Sequence, residues 1–179
     1  MTKQKRNRMI LCLAIIFAGI FLDQLTKKLV AGSFALGQTK PLIPWLVQLT
    51  YWHNYGAAWG MLANHRWVFM VISTIAIAAM VGYLFFRKTE SMLLSDISLS
   101  LIISGGIGNM IDRVFLGYVV DFIDIEPLFS FPIFNGADSF VCVGAGLLIL
   151  ATLLEIKAEM RAEKEKKAAK SHPESEQEP

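Results

Sequence analysis

Four long apolar runs divide the chain, and charged or turn-forming residues separate them. The runs cover about residues 9–30, 67–86, 92–111 and 138–154. A helix needs about 20 predominantly apolar residues to cross a bilayer, and each run approaches this length. The first run ends in an amphipathic stretch, so we expect Lys27 and Lys28 to extend outward to the interface. The pattern predicts an all-α membrane protein with four transmembrane helices in one domain, residues 1–155.

Basic residues beside these runs predict how the bundle lies in the membrane. Four Lys or Arg residues precede the first run, Arg87 and Lys88 separate the second and third, and six follow the fourth. Because basic residues collect on the cytoplasmic side, we expect both termini and the middle loop to be cytoplasmic. The two longer connectors, about 31–66 and 112–137, then lie outside. The charged cytoplasmic tail, 156–179, is predicted to be helical at first and then disordered.

The first outer connector has the pattern of strands and turns. Residues 38–60 mix β-branched and aromatic residues with prolines and glycines, which suits short strands better than a helix. Its tryptophans and tyrosines are typical of a membrane interface. We therefore expect a small extracytoplasmic β-sheet and loop region at the outer membrane interface.

Composition agrees with a membrane location and excludes other classes. Hydrophobic residues make up 54% of the chain and the formal net charge is only +2, which is too apolar for an ordinary soluble fold and gives no nucleic-acid footprint. Cys12 and Cys142 lie in apolar runs without metal-ligand spacing, so we expect both to be small core residues. The N-terminal segment resembles a signal peptide with a poor cleavage signal, and we interpret it as a retained helix.

Two carboxylates, Asp121 and Asp138, stand at the ends of a polar, proline-containing stretch in the second outer connector. This stretch is interrupted too often to cross the bilayer, so a returning loop can bring the two carboxyl groups together. One ionised and one protonated Asp can activate water for peptide hydrolysis without a metal or cofactor. The residues alone leave a structural alternative open, in which Asn135 caps the fourth helix, Asp138 sits in its first turn and Asp121 is an exposed loop acid.

Five motifs, in order and placement, resemble the bacterial lipoprotein signal peptidase family, also called signal peptidase II, along almost the whole chain through Leu154. They are Asp23-Gln24-Leu25-Thr26-Lys27, Asn54-Tyr55-Gly56-Ala57-Ala58-Trp59, Gly105-Gly106-Ile107-Gly108-Asn109 with Asp112-Arg113, Val120-Asp121-Phe122 and Phe134-Asn135-Gly136-Ala137-Asp138. The resemblance implies that Asp121 and Asp138 are the catalytic pair. It further implies substrate-binding residues, namely Asn54, Asn109 and Arg113, and supporting residues, namely Asp23, Lys27, Gly56, Gly108, Asn135 and Ala137.

The activity that this resemblance implies is that of an intramembrane aspartic endopeptidase. Such an enzyme cuts a bacterial prolipoprotein on the amino side of a cysteine that carries diacylglycerol. The implied setting is the bacterial cytoplasmic (inner) membrane, with the active site at its extracytoplasmic face. Lipid-modified prolipoproteins and membrane lipid are the expected partners of a monomer that binds no nucleic acid. Two other classes stay open: a small carrier or lipid-binding membrane protein using interfacial carboxylates, and an assembly or insertion factor without catalysis, which would tolerate Asp121→Asn.

Overall fold

The computed structural model describes residues 2–56, 66–86 and 92–171. Four helices and three strands lie in these ranges, namely α1 Lys3–Ser33, β1 Thr39–Ile43, β2 Val47–Asn54, α2 Arg66–Phe86, α3 Leu93–Phe115, β3 Val119–Asp124 and α4 Gly136–Ser171. Some sequence-based predictions fall outside the described residues: the motif residues Ala57, Ala58 and Trp59, the basic pair Arg87 and Lys88, and the end of the tail, 172–179.

Three of these helices are long and apolar enough to cross a membrane. They are α1, α3 and the Gly136–Lys167 part of α4, whereas α2 offers a shorter apolar stretch, Met70–Phe86, among the described residues. Large apolar side chains on the outside of the bundle, such as Phe17 and Ile75, are 66% and 65% exposed. Exposed apolar surface of this kind fits contact with lipid. The chain is therefore a membrane protein whose described residues include three candidate spans, and the fourth span stays a prediction.

A three-stranded antiparallel sheet in the order β1-β2-β3 packs against the C-terminal end of α1. Val30 of α1 contacts a buried cluster formed by Tyr51, Val120 and Phe122 of the sheet. β1 and β2 confirm the sheet predicted for the first outer connector. β3 corrects the expectation for the second connector, because Val119–Asp124 pairs with β2 as a strand where the sequence pattern predicts a returning loop.

Close packing of α3 against its neighbours depends on small residues, as the glycine spacing in its motif indicates. A Cβ atom at Gly108 would lie 2.5 Å from Asp23 Oδ2 of α1, and a Cβ at Gly105 would collide with the Ala137 carbonyl of α4. Deeper in the bundle, Cys12 and Ile103 belong to a buried apolar cluster. The small residues therefore let three helices meet at one end of α3.

Ion pairs tie α1 to α3 at both ends of the bundle. Arg8 Nε lies 3.2 Å from Asp96 Oδ2 near the starts of α1 and α3. At the opposite end, Lys27 Nζ lies 3.0 Å from Asp112 Oδ2. This second end, where α1 and α3 finish, α4 begins and the sheet packs, carries both aspartates of the predicted dyad.

Candidate active site

Two aspartates on separate elements line the same cavity. Asp121 lies in the middle of β3 and Asp138 is the third residue of α4. The cavity has a volume of about 650 Å³, and its other polar lining comes from Asn54, Arg113 and Ser139. The sequence-based prediction that the second connector brings these carboxyl groups to one place agrees with this geometry.

β3 places Asp121 beneath the surface of the protein. The residue is 1% exposed, and it pairs with Trp52 across the sheet. Asn54 Nδ2 donates to Asp121 Oδ2 at 2.8 Å, and Asn135 Nδ2 donates to Oδ1 at 2.6 Å. Asp121 is thus a buried, hydrogen-bonded strand residue, which corrects the alternative of an exposed loop acid.

Burial sets the proton affinity of Asp121. Loss of solvation and the nearby charge of Asp138 raise the pKa of Asp121 from 3.8 to about 7, although hydrogen bonds from Asn54 and Asn135 and the charge of Lys27 oppose the change. Burial penalises the charged form of a carboxyl group, and a second carboxylate nearby penalises it further. The Asp121 carboxyl group consequently holds a proton up to near-neutral pH.

Asp138 is held by the N-terminal cap of α4. Asn135 Oδ1 accepts the Asp138 backbone N–H at 3.0 Å, and Asp138 Oδ2 accepts the Asn135 backbone N–H at 3.1 Å. This reciprocal pair is a capping box, which satisfies two helix-end donors at once. The capping arrangement predicted as a structural alternative is therefore present, and it leaves Asp138 Oδ1 to accept from Asn109 Nδ2 at 2.7 Å.

Asn135 connects the two aspartates. It is fully buried, and its amide nitrogen lies within hydrogen-bond distance of three acceptors, namely Asp121 Oδ1, the Val120 carbonyl at 3.3 Å and Asn109 Oδ1 at 3.1 Å, which share its two N–H groups. Because the same residue caps Asp138, one side chain contacts both halves of the dyad. Asn135 is thus hydrogen-bonded to both carboxylates of the predicted pair, and its supporting role stays a prediction.

Lys27 lies under this network and contacts three acceptors. Its ammonium group is 2.9 Å from Asp23 Oδ2, 3.0 Å from Asp112 Oδ2 and 2.9 Å from Asn109 Oδ1. An ammonium group has three N–H donors, so each can be satisfied. The side chain is 3% exposed, which corrects the expectation that Lys27 extends outward to the interface. Its buried charge is compensated inside the bundle, while Lys28 is exposed.

Asp23 joins α1 to the start of α4. Its Oδ1 accepts the Ala137 backbone N–H at 2.9 Å, and its Oδ2 binds Lys27. The four-residue spacing predicts this ion pair, and the distance confirms it. Gly108 provides the space that the Asp23 carboxylate occupies, and Ala137 is fully buried. Four of the predicted supporting residues therefore contact one another through Asp23, namely Asp23, Lys27, Gly108 and Ala137.

The cavity has a polar edge and an apolar wall. Arg113 lies on the polar edge and its Nη1 donates to the Asn109 carbonyl at 3.3 Å. Gly56 also lines the cavity, and its N–H donates to Asn54 Oδ1 at 3.0 Å. The wall is formed by apolar residues of the β3–α4 connection and of α4, namely Ile125, Phe129, Phe131, Pro132, Ile133, Phe134 and Val143. Cys142 is exposed and lines the same cavity, which corrects its expected core position.

All eleven candidate site residues from the sequence lie in or directly beneath this one region. Two further residues belong to the network without having been assigned a role, Gln24 and Asp112. Gln24 Nε2 lies 3.0 Å from Asp112 Oδ1 and 3.1 Å from the Gly108 carbonyl. Both residues lie in the five motifs that resemble the family, but the sequence gives no sign that they contact each other, and only the fold shows this contact.

A dyad with one protonated and one ionised carboxyl group can supply the acid and the base of amide hydrolysis.

Comparison with known proteins agrees with this geometry. A family model described as signal peptidase (SPase) II matches residues 11–154, a range that includes every candidate site residue. Two solved structures, both described as bacterial membrane enzyme structures by the in meso method, are similar to the chain. One, at 2.3 Å, is 36% identical with a TM-score of 0.75 over 81% of this chain and 88% of that chain. The other, at 1.9 Å, is 37% identical with a TM-score of 0.72 over 79% and 92%.

Proposed function

This chain belongs to the signal peptidase (SPase) II family, a family of lipoprotein signal peptidases, and from that premise we propose that it is an aspartic endopeptidase whose catalytic pair is Asp121 and Asp138. Its substrate is a bacterial prolipoprotein with a diacylglyceryl-modified cysteine, and it cuts the peptide bond on the amino side of that cysteine. The observation that carries the proposal is the pair of carboxyl groups on one cavity, with the pKa of Asp121 raised to about 7.

The two aspartates divide the acid and base roles. Asp138 is the ionised partner, because it lies in the first turn of α4, where the helix dipole and a backbone N–H favour a carboxylate. Asp121 holds the shared proton. A water molecule between them gives its proton to Asp138 and attacks the scissile carbonyl carbon while Asp121 protonates the carbonyl oxygen. When the tetrahedral intermediate collapses, the dyad returns a proton to the departing amine.

Three polar residues bind the substrate backbone beside the dyad. Asn54 and Asn109 each donate an amide N–H to one aspartate, so they orient the two carboxyl groups before substrate arrives. Arg113 lies at the cavity edge with donors that match peptide carbonyl groups. Pre-oriented groups of this kind lower the barrier because little rearrangement is needed in the transition state.

The apolar wall of the cavity favours a substrate that arrives from the bilayer. Phe129, Phe131 and Val143 present hydrocarbon surface within the same cavity as the dyad. The acyl chains of a lipid-bearing peptide can move from the bilayer onto this wall without contacting water, and van der Waals packing holds them there. In this proposal the chain has four spans, both termini are cytoplasmic, and the site faces the outside of the bacterial cytoplasmic membrane.

A carrier function is the weaker alternative. Carriers place ionisable groups near the middle of the membrane between broken helices, whereas the dyad lies where α3 ends and α4 begins. Membership in a peptidase family also favours hydrolysis over transport. Enzymatic turnover would separate the two functions directly.

The proposal is tested by incubating the purified protein with a lipidated prolipoprotein and with the same precursor lacking lipid. We expect release of the signal peptide from the lipidated precursor only. Asp121→Asn and Asp138→Asn should each abolish turnover, since both groups must change protonation state in one cycle, while substrate binding persists. Equal cleavage of both precursors would refute the lipid requirement. Substantial activity in either variant would refute the two-aspartate mechanism.

A further inference from the structure

Asp112 belongs to the hydrogen-bond network that connects the two elements carrying the proposed catalytic aspartates. It occupies the last turn of α3, and its side chain is nearly fully buried, with 2% of the residue exposed. Three groups donate to it: the Val120 backbone N–H to Oδ2 at 3.0 Å, Lys27 Nζ to Oδ2 at 3.0 Å and Gln24 Nε2 to Oδ1 at 3.0 Å. The carboxylate is thus fixed by donors from α1 and from β3.

One branch of these contacts leads to Asp121. Val120 is the residue before Asp121 in β3, and its N–H is held by Asp112 while its carbonyl accepts from Asn135. Both backbone polar groups of Val120 are therefore held, one on each of the two successive peptide groups that precede Asp121 in β3. A shift of Asp112 would move the strand backbone and with it the Asp121 carboxyl group.

The other branch leads to Asp138. Lys27 joins Asp112 to Asn109 Oδ1, and Asn109 Nδ2 donates to Asp138 Oδ1 at 2.7 Å. The Asp112 carboxylate is consequently connected to Asp121 through Val120. It is connected to Asp138 through Lys27 and Asn109. Because Asp121 and Asp138 lie on different elements, their spacing depends on connections of this kind.

We propose that Asp112 is a positioning residue that sets the spacing between Asp121 and Asp138 through its shared contacts with the Val120 N–H and Lys27. The inference rests on the proposed dyad and adds to it a residue that contacts neither substrate nor the reacting atoms. The chemistry requires a carboxylate at this position. An asparagine would have to place its NH₂ group either against Gln24 or against the Val120 and Lys27 donors, so it cannot accept from all three.

The test compares Asp112→Asn with Asp124→Asn. Asp124 lies three residues from Asp121 in the same strand, is 4% exposed and accepts from Gln48, Thr50 and the Glu126 backbone N–H. It is a matched control for losing a buried, hydrogen-bonded carboxylate without disturbing the contacts between Asp112 and the dyad. Cleavage of lipidated prolipoprotein, substrate binding and thermal unfolding are measured for both variants and for the unmodified chain in one detergent.

We expect kcat of Asp112→Asn to fall about 10- to 100-fold with KM within about threefold, because a misplacement of about 1 Å can cost 100-fold in rate. Asp124→Asn should keep kcat within about twofold of the unmodified chain, even if its thermal stability falls as much as that of Asp112→Asn. Equal losses of kcat in the two variants would overturn the positioning role. No cleavage by the unmodified chain would instead overturn the proposed function itself.

A second variant keeps the proposal testable if Asp112→Asn does not fold. Gln24→Met removes the donor that holds Asp112 Oδ1. The carboxylate and Lys27 stay in place, but the carboxylate can then turn away from the orientation in which Oδ2 accepts from the Val120 N–H. We expect kcat to fall about 3- to 10-fold with unchanged substrate binding. A kcat equal to that of the unmodified chain would contradict the proposal.

Discussion

Asp121→Asn should change how the stability of the protein depends on pH. In the unfolded chain an aspartate releases its proton near pH 3.8, whereas folding raises the pKa of Asp121 to about 7. Between these values the folded state binds one more proton than the unfolded state, so stability falls as pH rises. The stabilising contribution of this proton is complete below pH 3.8 and is lost as pH rises through about 7. Asparagine binds no proton, so the variant lacks this dependence.

The size of the effect follows from the change in pKa. Each unit is worth about 1.4 kcal/mol, so the stability of the unmodified chain falls by about 3 kcal/mol relative to the variant between pH 5 and pH 8. For a chain of this size, about 2–4 °C in Tm corresponds to each kcal/mol. The difference in Tm between variant and unmodified chain should therefore move by about 6–12 °C in favour of the variant.

The assay is thermal unfolding of both proteins in one detergent from pH 5 to pH 8. Asparagine also places an NH₂ group where a carboxyl oxygen accepts from Asn54 or Asn135, and this cost does not depend on pH. The informative quantity is therefore the change in the Tm difference with pH, and not the absolute Tm at one pH.

Asp124→Asn is the control for this measurement. Burial raises the pKa of Asp124, but hydrogen bonds from Thr50, the Glu126 backbone and Gln48 outweigh burial and lower it below 3.8. Its contribution to stability is complete above pH 3.8, so its loss should lower Tm by the same amount from pH 5 to pH 8. A Tm difference for Asp121→Asn that is equally flat would refute the elevated pKa of Asp121.

Three shorter predictions concern the support of the dyad. Lys27→Met should destabilise the protein by about 3–5 kcal/mol in thermal unfolding, because it leaves two buried carboxylates without their counter-ion. Lys167→Met, which breaks an exposed ion pair, should change the stability by less than about 1 kcal/mol. Equal losses of stability in the two variants would contradict the role of burial. Turnover should fall about tenfold per pH unit above about pH 7 as the dyad loses its shared proton, and a constant rate to pH 9 would contradict this. Gly108→Ala should lower both Tm and turnover by forcing a Cβ against Asp23, whereas Gly146→Ala, with no atom within 4 Å of the added Cβ, should lower neither.

The helices and the first two strands could be predicted because their patterns are local. Apolar runs separated by charges mark the helices, and β-formers with turn residues mark β1 and β2. β3 differs because it is buried along nearly its whole length, so it lacks the alternation of a half-exposed strand. Its two acids suggest exposure, yet Asp121 and Asp124 are buried because they accept from Asn54 and Thr50, 67 and 74 residues away in the chain.

The meeting of Asp121 and Asp138 at one cavity could be predicted, whereas the residues that hold them there could be predicted only in part. Spacing predicts the Asp23–Lys27 pair, since four residues place both side chains on one helix face. It does not show which way that face points, and Lys27 at the end of an apolar run resembles an interfacial lysine. Only the fold brings Asn109, 82 residues away, to within 2.9 Å of its ammonium group. A buried lysine is stable only with such partners, and these partners come from distant parts of the chain.

The role of α1 follows from these buried partners. Its composition is that of a signal peptide, with basic residues before an apolar run. In the structure Arg8 pairs with Asp96 at one end of the helix, and Lys27 pairs with Asp112 at the other. Loss of the helix would take an ion-pair partner from both of these buried carboxylates, and breaking a buried pair costs about 3–5 kcal/mol. It would also remove the lysine that holds Asn109 against the dyad, so the segment that resembles a substrate of a signal peptidase is part of the support on which this site depends.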